Sequence, residues 1–191
     1  MERSEILDLM MALGLSGMRA AYDEIVTVGI KRKHSAEQIL GALMKAEIAA
    51  KQARSINYQM TLAKLPVVKD LDAFHFEGTP INEGLVRSLH SGAFLPAWRN
   101  VVLVGGTGTG KTHLAIAIAR SCIRAGSRGR FYNVVDLVNR LETEARSGRQ
   151  GRLADHLTRM DFIVLDELGY LPFAQAGGQR AVGQPPVGLD L

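Results

Sequence analysis

A chain of 191 residues, 47% of them hydrophobic, is long enough for one large domain or two small ones and apolar enough to pack a core. No apolar run approaches the ~20 residues needed to span a bilayer. Cys122, the single cysteine, rules out an intrachain disulfide or a cysteine metal cluster. The formal charge of +4 is only mildly basic, and the charged opening residues carry no signal-peptide h-region. A cytoplasmic protein with no membrane association is expected.

The first seventy residues read as helical. Ser4 is placed to cap a helix in which Ile6, Met10 and Leu13 share a face. Gly14 and Gly17 loosen the chain before a second helix over Met18 to Val28, and Gly29 with Lys31-Arg32-Lys33 forms a connector. Ser35-Ala36-Glu37-Gln38 is a capping box, serine followed three residues on by glutamine. The long helix it opens carries Ile39, Leu43, Ala46 and Ala50 along one stripe, reaches about Ala63 and is stopped by Pro66. Met10, Met11 and Met44 are expected to be core filler. Residues 1–70 thus form a helical N-terminal domain.

Leu65 to Pro80 reads as a linker anchored by Phe74 and Phe76. A short helix is predicted over Asn82 to Gly92, ahead of Phe94-Leu95-Pro96-Ala97-Trp98. Packing beside an adenine ring and a plain domain-joining role both fit that stretch. Trp98 is the sole tryptophan.

Val101-Val102-Leu103-Val104 is a short apolar run suited to a buried parallel strand. It leads into Gly105-Gly106-Thr107-Gly108-Thr109-Gly110-Lys111-Thr112, a complete phosphate-binding loop. Consecutive backbone N–H groups can surround a triphosphate only if the chain curls into a concave nest, and Gly106, Gly108 and Gly110 permit that curl. His113 to Arg124 reads as a helix closed by Gly126, with its positive dipole end toward the same phosphates. Lys111 would reach the β- and γ-phosphates of a nucleoside triphosphate, and the Thr112 hydroxyl would ligate Mg²⁺. Cys122 falls inside this helix as a small buried hydrophobe.

Arg130-Phe131-Tyr132-Asn133-Val134 is the next predicted strand. Asp136 is placed to cap a helix carrying Leu137, Val138 and Leu141. Gly148 and Gly151 mark a turn before a short helix over Arg152 to Thr158. Arg120, Arg124, Arg128, Arg130, Arg140, Arg146, Arg149, Arg152 and Arg159 crowd this part of the chain. Such density suits phosphate contacts with nucleic acid, and it equally suits a solvated, salt-bridged surface. Asp161-Phe162-Ile163-Val164-Leu165-Asp166-Glu167 then reads as a buried strand whose C-terminal end carries two carboxylates, where ligands of open α/β sheets bind. Asp166 would hold Mg²⁺ and Glu167 would polarise the attacking water as general base. Asp161, at the other end, is expected to be a solvated turn residue.

Five separated segments together resemble the IstB-type helper ATPases of insertion-sequence transposition, relatives of DnaC-type helicase loaders within the AAA+ superfamily. They are Leu13 to Met18, Ala46 to Ala50, Leu71 to Phe76, Asn100 to Leu114 and Asp161 to Gly178, covering about Met1 to Gln179. The resemblance implies a P-loop α/β core with a parallel sheet behind a helical domain, binding of ATP and Mg²⁺, homo-oligomerisation on double-stranded DNA, and assistance to a separate transposase. Lys111, Thr112, Asp166 and Glu167 match the family's nucleotide-site positions, with Lys111 and Glu167 catalytic. His113 belongs to the motif, with packing and catalysis both open to it. No DNA-contacting residue carries over. A helicase-loader ATPase with another partner, and a DNA- or transposase-binding protein that never hydrolyses ATP, are the alternative functions.

The resemblance stops near Gln179. Arg180 to Leu191 is rich in proline and glycine and is expected to be a disordered tail, following a partial AAA+ domain at 71–179. The expectation is a C-terminally truncated product of a frameshift, its core incomplete and its ATP hydrolysis impaired. Val101–Val104 should then lack its usual neighbours, so that it either pairs directly with Phe162–Asp166 or leaves an open edge.

Overall fold

The structure is a computed structural model that describes residues 2–148 and 150–167 together with the backbone of Val187–Asp190. Arg149, the family-like segment beyond Glu167, and tail residues 180–186 and 191 lie outside the described residues. The chain divides into two units, Met1–Tyr58 and Gln59–Leu191. The sequence reading sets a boundary at residue 70; the observed division falls earlier, inside a helix.

The first unit is built from α1 (Arg3–Ala12), α2 (Ser16–Lys31) and the first part of α3 (Ala36–Ala63). Helix α1 starts ahead of Ser4: Glu2 is its cap residue, and the Glu2 amide donates to Glu5 Oε2 at 2.8 Å. Helix α2 runs longer at both ends than Met18 to Val28. The capping box forms as expected, with the Ser35 amide on Gln38 Oε1 at 2.9 Å and the Gln38 amide on Ser35 Oγ at 3.3 Å. Met10, Met18 and Leu43 are buried among Ile6, Leu15, Tyr22 and Ile39. Met11 and Met44 are not core filler, being 55% and 52% exposed. Each follows a buried neighbour by one position, about 100° around its helix, and so points outward.

One carboxylate joins α2 to α3. Glu47 is only 4% exposed, and its Oε2 accepts the amides of Gly17 at 2.6 Å and Met18 at 3.0 Å. These first-turn amides have no partner within their own helix. The Met18 amide is the largest influence holding the Glu47 carboxyl below its ordinary range, against the opposing effect of desolvation. Arg54 lies 3.2 Å from Oε1 and also reaches Ser16 Oγ. Glycine is required at position 17: a Cβ there would stand 2.6 Å from Ala50 Cβ and 2.8 Å from the Ala46 carbonyl oxygen.

In the second unit a short 3-10 turn (Leu71–Ala73) precedes α4 (Glu83–His90), β1 (Val101–Val104), α5 (Lys111–Arg124), β2 (Gly129–Asn133), α6 (Val134–Arg146), α7 (Arg152–Leu157), β3 (Phe162–Asp166) and β4 (Val187–Asp190). Helix α5 is apolar on most of its surface and lies at the centre of the unit. Its Leu114 and Ala117 pack with Leu71, Ile81 and Val86, and its Ile118 and Cys122 pack with Leu89, Phe94 and Leu95. Burial pushes the Cys122 thiol up to about 11, consistent with an inert packing residue.

Strands pair in parallel, as the expected α/β class requires. Strand β2 pairs with β3 in a register that sets Gly129 opposite Phe162 and Asn133 opposite Asp166. Strand β1 pairs with neither: its partner is β4, with Val101 opposite Val187 and Val104 opposite Asp190. The direct pairing of β1 with β3 therefore does not occur, and the part of the tail at Val187–Asp190 is a strand rather than disordered chain. Backbone groups of β1 find partners there, as the cost of burying them unpaired demands. Asp161 is exposed at a bend, as expected, and it is also anchored. Its Oδ2 accepts the Arg128 amide at 2.7 Å and its Oδ1 lies 3.2 Å from the Arg128 guanidinium, which fixes the entry to both β2 and β3. No helix among the described residues is long and apolar enough to cross a membrane.

Candidate nucleotide site

Strand β1 delivers the chain to the glycine-rich loop, and the loop delivers it to α5. Gly108 and Gly110 take left-handed backbone angles, φ 80° and 90°. Gly110 is constrained a second time, because a Cβ would stand 2.5 Å from Phe74 Cε2. The loop closes on the Gly106 carbonyl, which accepts from Thr109 Oγ1 at 3.0 Å and from Lys111 Nζ at 2.5 Å. Gly105 is half-buried at the end of the strand, and Thr107 is exposed at the bend. The Leu114 amide donates to the Gly110 carbonyl at 2.9 Å, so α5 starts there and the amides ahead of it have no intrahelical acceptor. That geometry makes a ready seat for an anion.

Strand β3 brings its carboxylates to the same place. Thr112 Oγ1 donates to Asp166 Oδ2 at 3.1 Å, joining residues far apart in sequence. Asp166 Oδ1 accepts the Glu167 amide at 3.0 Å. Glu167 itself sits at φ 64°, a left-handed angle that L residues with a side chain adopt at a cost of about 1–2 kcal/mol. Its carboxylate accepts from Asn133 Nδ2, and the Asn133 Oδ1 accepts the amides of Val135 at 2.9 Å and Asp136 at 3.3 Å. Asn133, not Asp136, therefore caps α6. Sequence reasoning missed it because it was counted as a strand residue, although an asparagine just before a helical run is a cap signal in its own right.

His113 turns toward the segment before β1. Its Nε2 lies 3.0 Å from the Asp70 carbonyl oxygen, and its ring meets Phe74 edge-on at 5.2 Å. The Asp70 carboxylate takes ion pairs from Arg120 and Arg124, each at 2.9 Å. Those hydrogen bonds, Arg120 first, hold the Asp70 carboxyl below its ordinary range. Asp70 and Phe74 thus support the loop and its helix from behind; Phe74 was visible in the sequence as a linker anchor, whereas Asp70 carries no motif that would single it out.

The donor set suits a hard divalent cation. A hydroxyl and a carboxylate stand within hydrogen-bond distance, and Mg²⁺ typically takes one or two protein oxygens and completes its shell with phosphate and water. Among the described residues no cluster of three or more His, Cys, Asp or Glu side chains could hold a metal alone. A ligand at this site would therefore bring the remaining oxygens itself.

The family described as IstB-like ATP binding protein matches residues 9–182. An ATP-binding protein named for insertion sequence IS5376, from Geobacillus stearothermophilus, is 36% identical over 138 residues, which is 72% of this chain and 55% of that protein. One named for IS21, from Pseudomonas aeruginosa, is 30% identical over 88% of this chain and 64% of its own length. One named for IS232, from Bacillus thuringiensis subsp. berliner, is 29% identical over 84% of this chain and 64% of its length. The chain thus spans between about half and two thirds of these relatives. Because the family match takes in the helical unit, the glycine-rich loop and the acidic strand alike, this chain belongs to the IstB-like ATP-binding proteins.

Proposed function

We propose that this chain is an ATP-binding helper of insertion-sequence transposition, which binds double-stranded DNA and assists a separate transposase. The observation that carries the reading is the approach of Thr112 to Asp166 at the mouth of the glycine-rich loop. Two hard oxygen donors meet there beside a row of free amides and a lysine.

In this reading the backbone of Gly105 to Thr109 curls around the phosphates, with Gly110 setting the start of α5. Lys111 exchanges the Gly106 carbonyl for the β- and γ-phosphate oxygens, where its charge is worth more. Thr112 and Asp166 hold Mg²⁺, which when bound neutralises phosphate charge. Glu167 orients the attacking water, and Asn133 fixes where that carboxylate stands. His113 braces the loop through Asp70 and Phe74 and touches no phosphate. The insertion-sequence names of the relatives support the transposition context, and oligomerisation on DNA goes with it.

Isothermal calorimetry with ATP and Mg²⁺ tests the core of this reading. Wild type should release heat, and Lys111→Ala should weaken binding about 100-fold, the scale of losing a charge-assisted contact to phosphate. Glu167→Gln should bind ATP as wild type does while losing whatever turnover wild type has. No heat with folded wild type, or equal heat with Lys111→Ala, would sink the proposal. Capture of a replicative helicase in place of the transposase would move the function to helicase loading. DNA binding that ignores both ATP and Lys111→Ala would favour the non-hydrolysing alternative.

A further inference from the structure

Helix α3 carries two apolar stripes, and the first unit buries only one of them. Ile39 and Leu43 face the core, whereas Leu40, Met44 and Ile48 stand 49%, 52% and 56% exposed. Four-residue spacing sets these three above one another on one face of the helix. The same face ends in charge on both sides: Glu37 lies one heptad before Met44 and Lys51 one heptad after it, and both are exposed. Single exposed apolar residues are ordinary, but a row of large ones marks a contact surface.

The order of this face is its own complement. Two copies of α3 can be set antiparallel about a two-fold axis at Met44. Leu40 of each copy then meets Ile48 of the other, Met44 meets Met44, and Glu37 meets Lys51 about 10.5 Å along the helix on either side of the axis. A parallel pair would oppose Glu37 to Glu37 and Lys51 to Lys51. A shift of one turn would set Leu40 against Gln52 or Ile48 against Ala36. Neither charge is neutralised within its own chain. Glu37 accepts a hydrogen bond from Ser35, which leaves its charge in place, and it has no ion pair among the described residues. Lys51 shares the single carboxylate of Glu47 with Arg54, standing 3.9 Å from it against 3.2 Å for Arg54. Lys45 follows Met44 by one position, about 100° around the helix, and stays off the contact. Gly41 adjoins Leu40, and a Cβ there would meet nothing within 4 Å among the described residues. Packing inside the chain therefore gives no reason for a glycine that costs about 0.5–1 kcal/mol in a helix, whereas a bare position lets a second helix come close.

We propose that this face of α3 is a contact between two copies of the chain, antiparallel about Met44. It goes beyond the oligomerisation on DNA proposed above, because nothing in it calls for nucleotide or DNA. The stripe is far smaller than the ~20–30 residues a side of a standard interface, so association is expected on the order of 10–100 µM.

The test is sedimentation equilibrium of the full 191-residue chain without ATP or DNA, from about 5 µM to about 500 µM. Wild type should move from the mass of one copy toward the mass of two. Met44→Glu, which brings two carboxylates together on the axis, should stay at one copy. Ile30→Glu, at an exposed apolar residue on α2 instead, should associate as wild type does. Glu37→Lys and Lys51→Glu should each weaken association about 10-fold alone, by turning two attractions into repulsions. An equal mixture of those two variants should associate as wild type does, since every altered charge then faces its opposite. Far-UV circular dichroism on each variant checks that the helices are retained; if Lys51→Glu does not fold beside Glu47, Met44→Glu and Ile30→Glu carry the test. Wild type at one-copy mass throughout would give the face to another occupant and overturn the proposal, as would association that survives Met44→Glu. A mixture no tighter than its components would overturn the antiparallel register. None of these results bears on the ATP calorimetry described above, so the proposed function stands or falls separately.

Discussion

Helices α2 and α5 begin with the same difficulty and resolve it in opposite ways. Each starts with amides that its own turns cannot satisfy and with the positive end of its dipole. At α2 the chain supplies the anion itself, Glu47, buried on the amides of Gly17 and Met18. At α5 the chain supplies a glycine-rich curl and a lysine that rests on a carbonyl of the loop. The first arrangement is a closed joint between two helices; the second remains available to a ligand. Both regions carry family-like sequence, yet that sequence closes a packing joint in one and leaves helix-start amides open in the other.

Breaking the open start should have the largest effect. With Lys111→Ala, ATP affinity should fall about 100-fold while thermal unfolding without ATP stays where it was. Breaking the closed start should do the reverse. Gly17→Ala forces a Cβ against Ala50 and Ala46 and should cost the first unit about 1–3 kcal/mol in urea denaturation, with ATP binding retained. A Gly17→Ala protein as stable as wild type would show that the two helices can separate freely. Asn133→Ala removes a cap and should cost about 1 kcal/mol. It should also change turnover more than ATP affinity, since it frees Glu167 and leaves the loop intact. Equal changes in both would argue that Asn133 acts on the loop.

The smallest effect concerns pH. Glu47, Asp70 and Asp161 are all held below the ordinary carboxylate range, first by the Met18 amide, by Arg120 and by Arg128 respectively. A depressed folded-state value means that the stability is complete above the unfolded-state range, about pH 4, and is lost as pH falls through it toward the folded values. Melting temperature should therefore be level near neutrality and drop on acidification. Glu47→Gln should lower it at neutral pH and flatten part of the acid drop.

Much of this was legible in the sequence, and the gaps have physical causes. Strand, glycine loop and helix at Val101 to Arg124 were readable because each follows from local chemistry: β-branched residues, residues free of Cβ, then an uninterrupted apolar helix. The Ser35–Gln38 box and the strand at Phe162–Asp166 were readable for the same reason. What failed depended on distant partners. Met11 and Met44 look like Met10 in composition and differ only in which way their helix turns them. Asp161 is solvated as expected, but its bond to Arg128, thirty-three positions away, cannot be seen from its neighbours. The partner of β1 was missed because Val187 to Asp190 sits among glycines and prolines and has no strand pattern until it meets another strand.

Asn133 has a consequence for which residues its position can tolerate. The oxygen of its amide holds the start of α6, and the nitrogen of the same amide holds Glu167. Aspartate would keep the first grip and set a second negative charge beside the glutamate; leucine, of similar bulk, would keep neither. A library of all side chains at this codon, sorted for ATP-dependent performance, should therefore collapse toward the amide it already encodes.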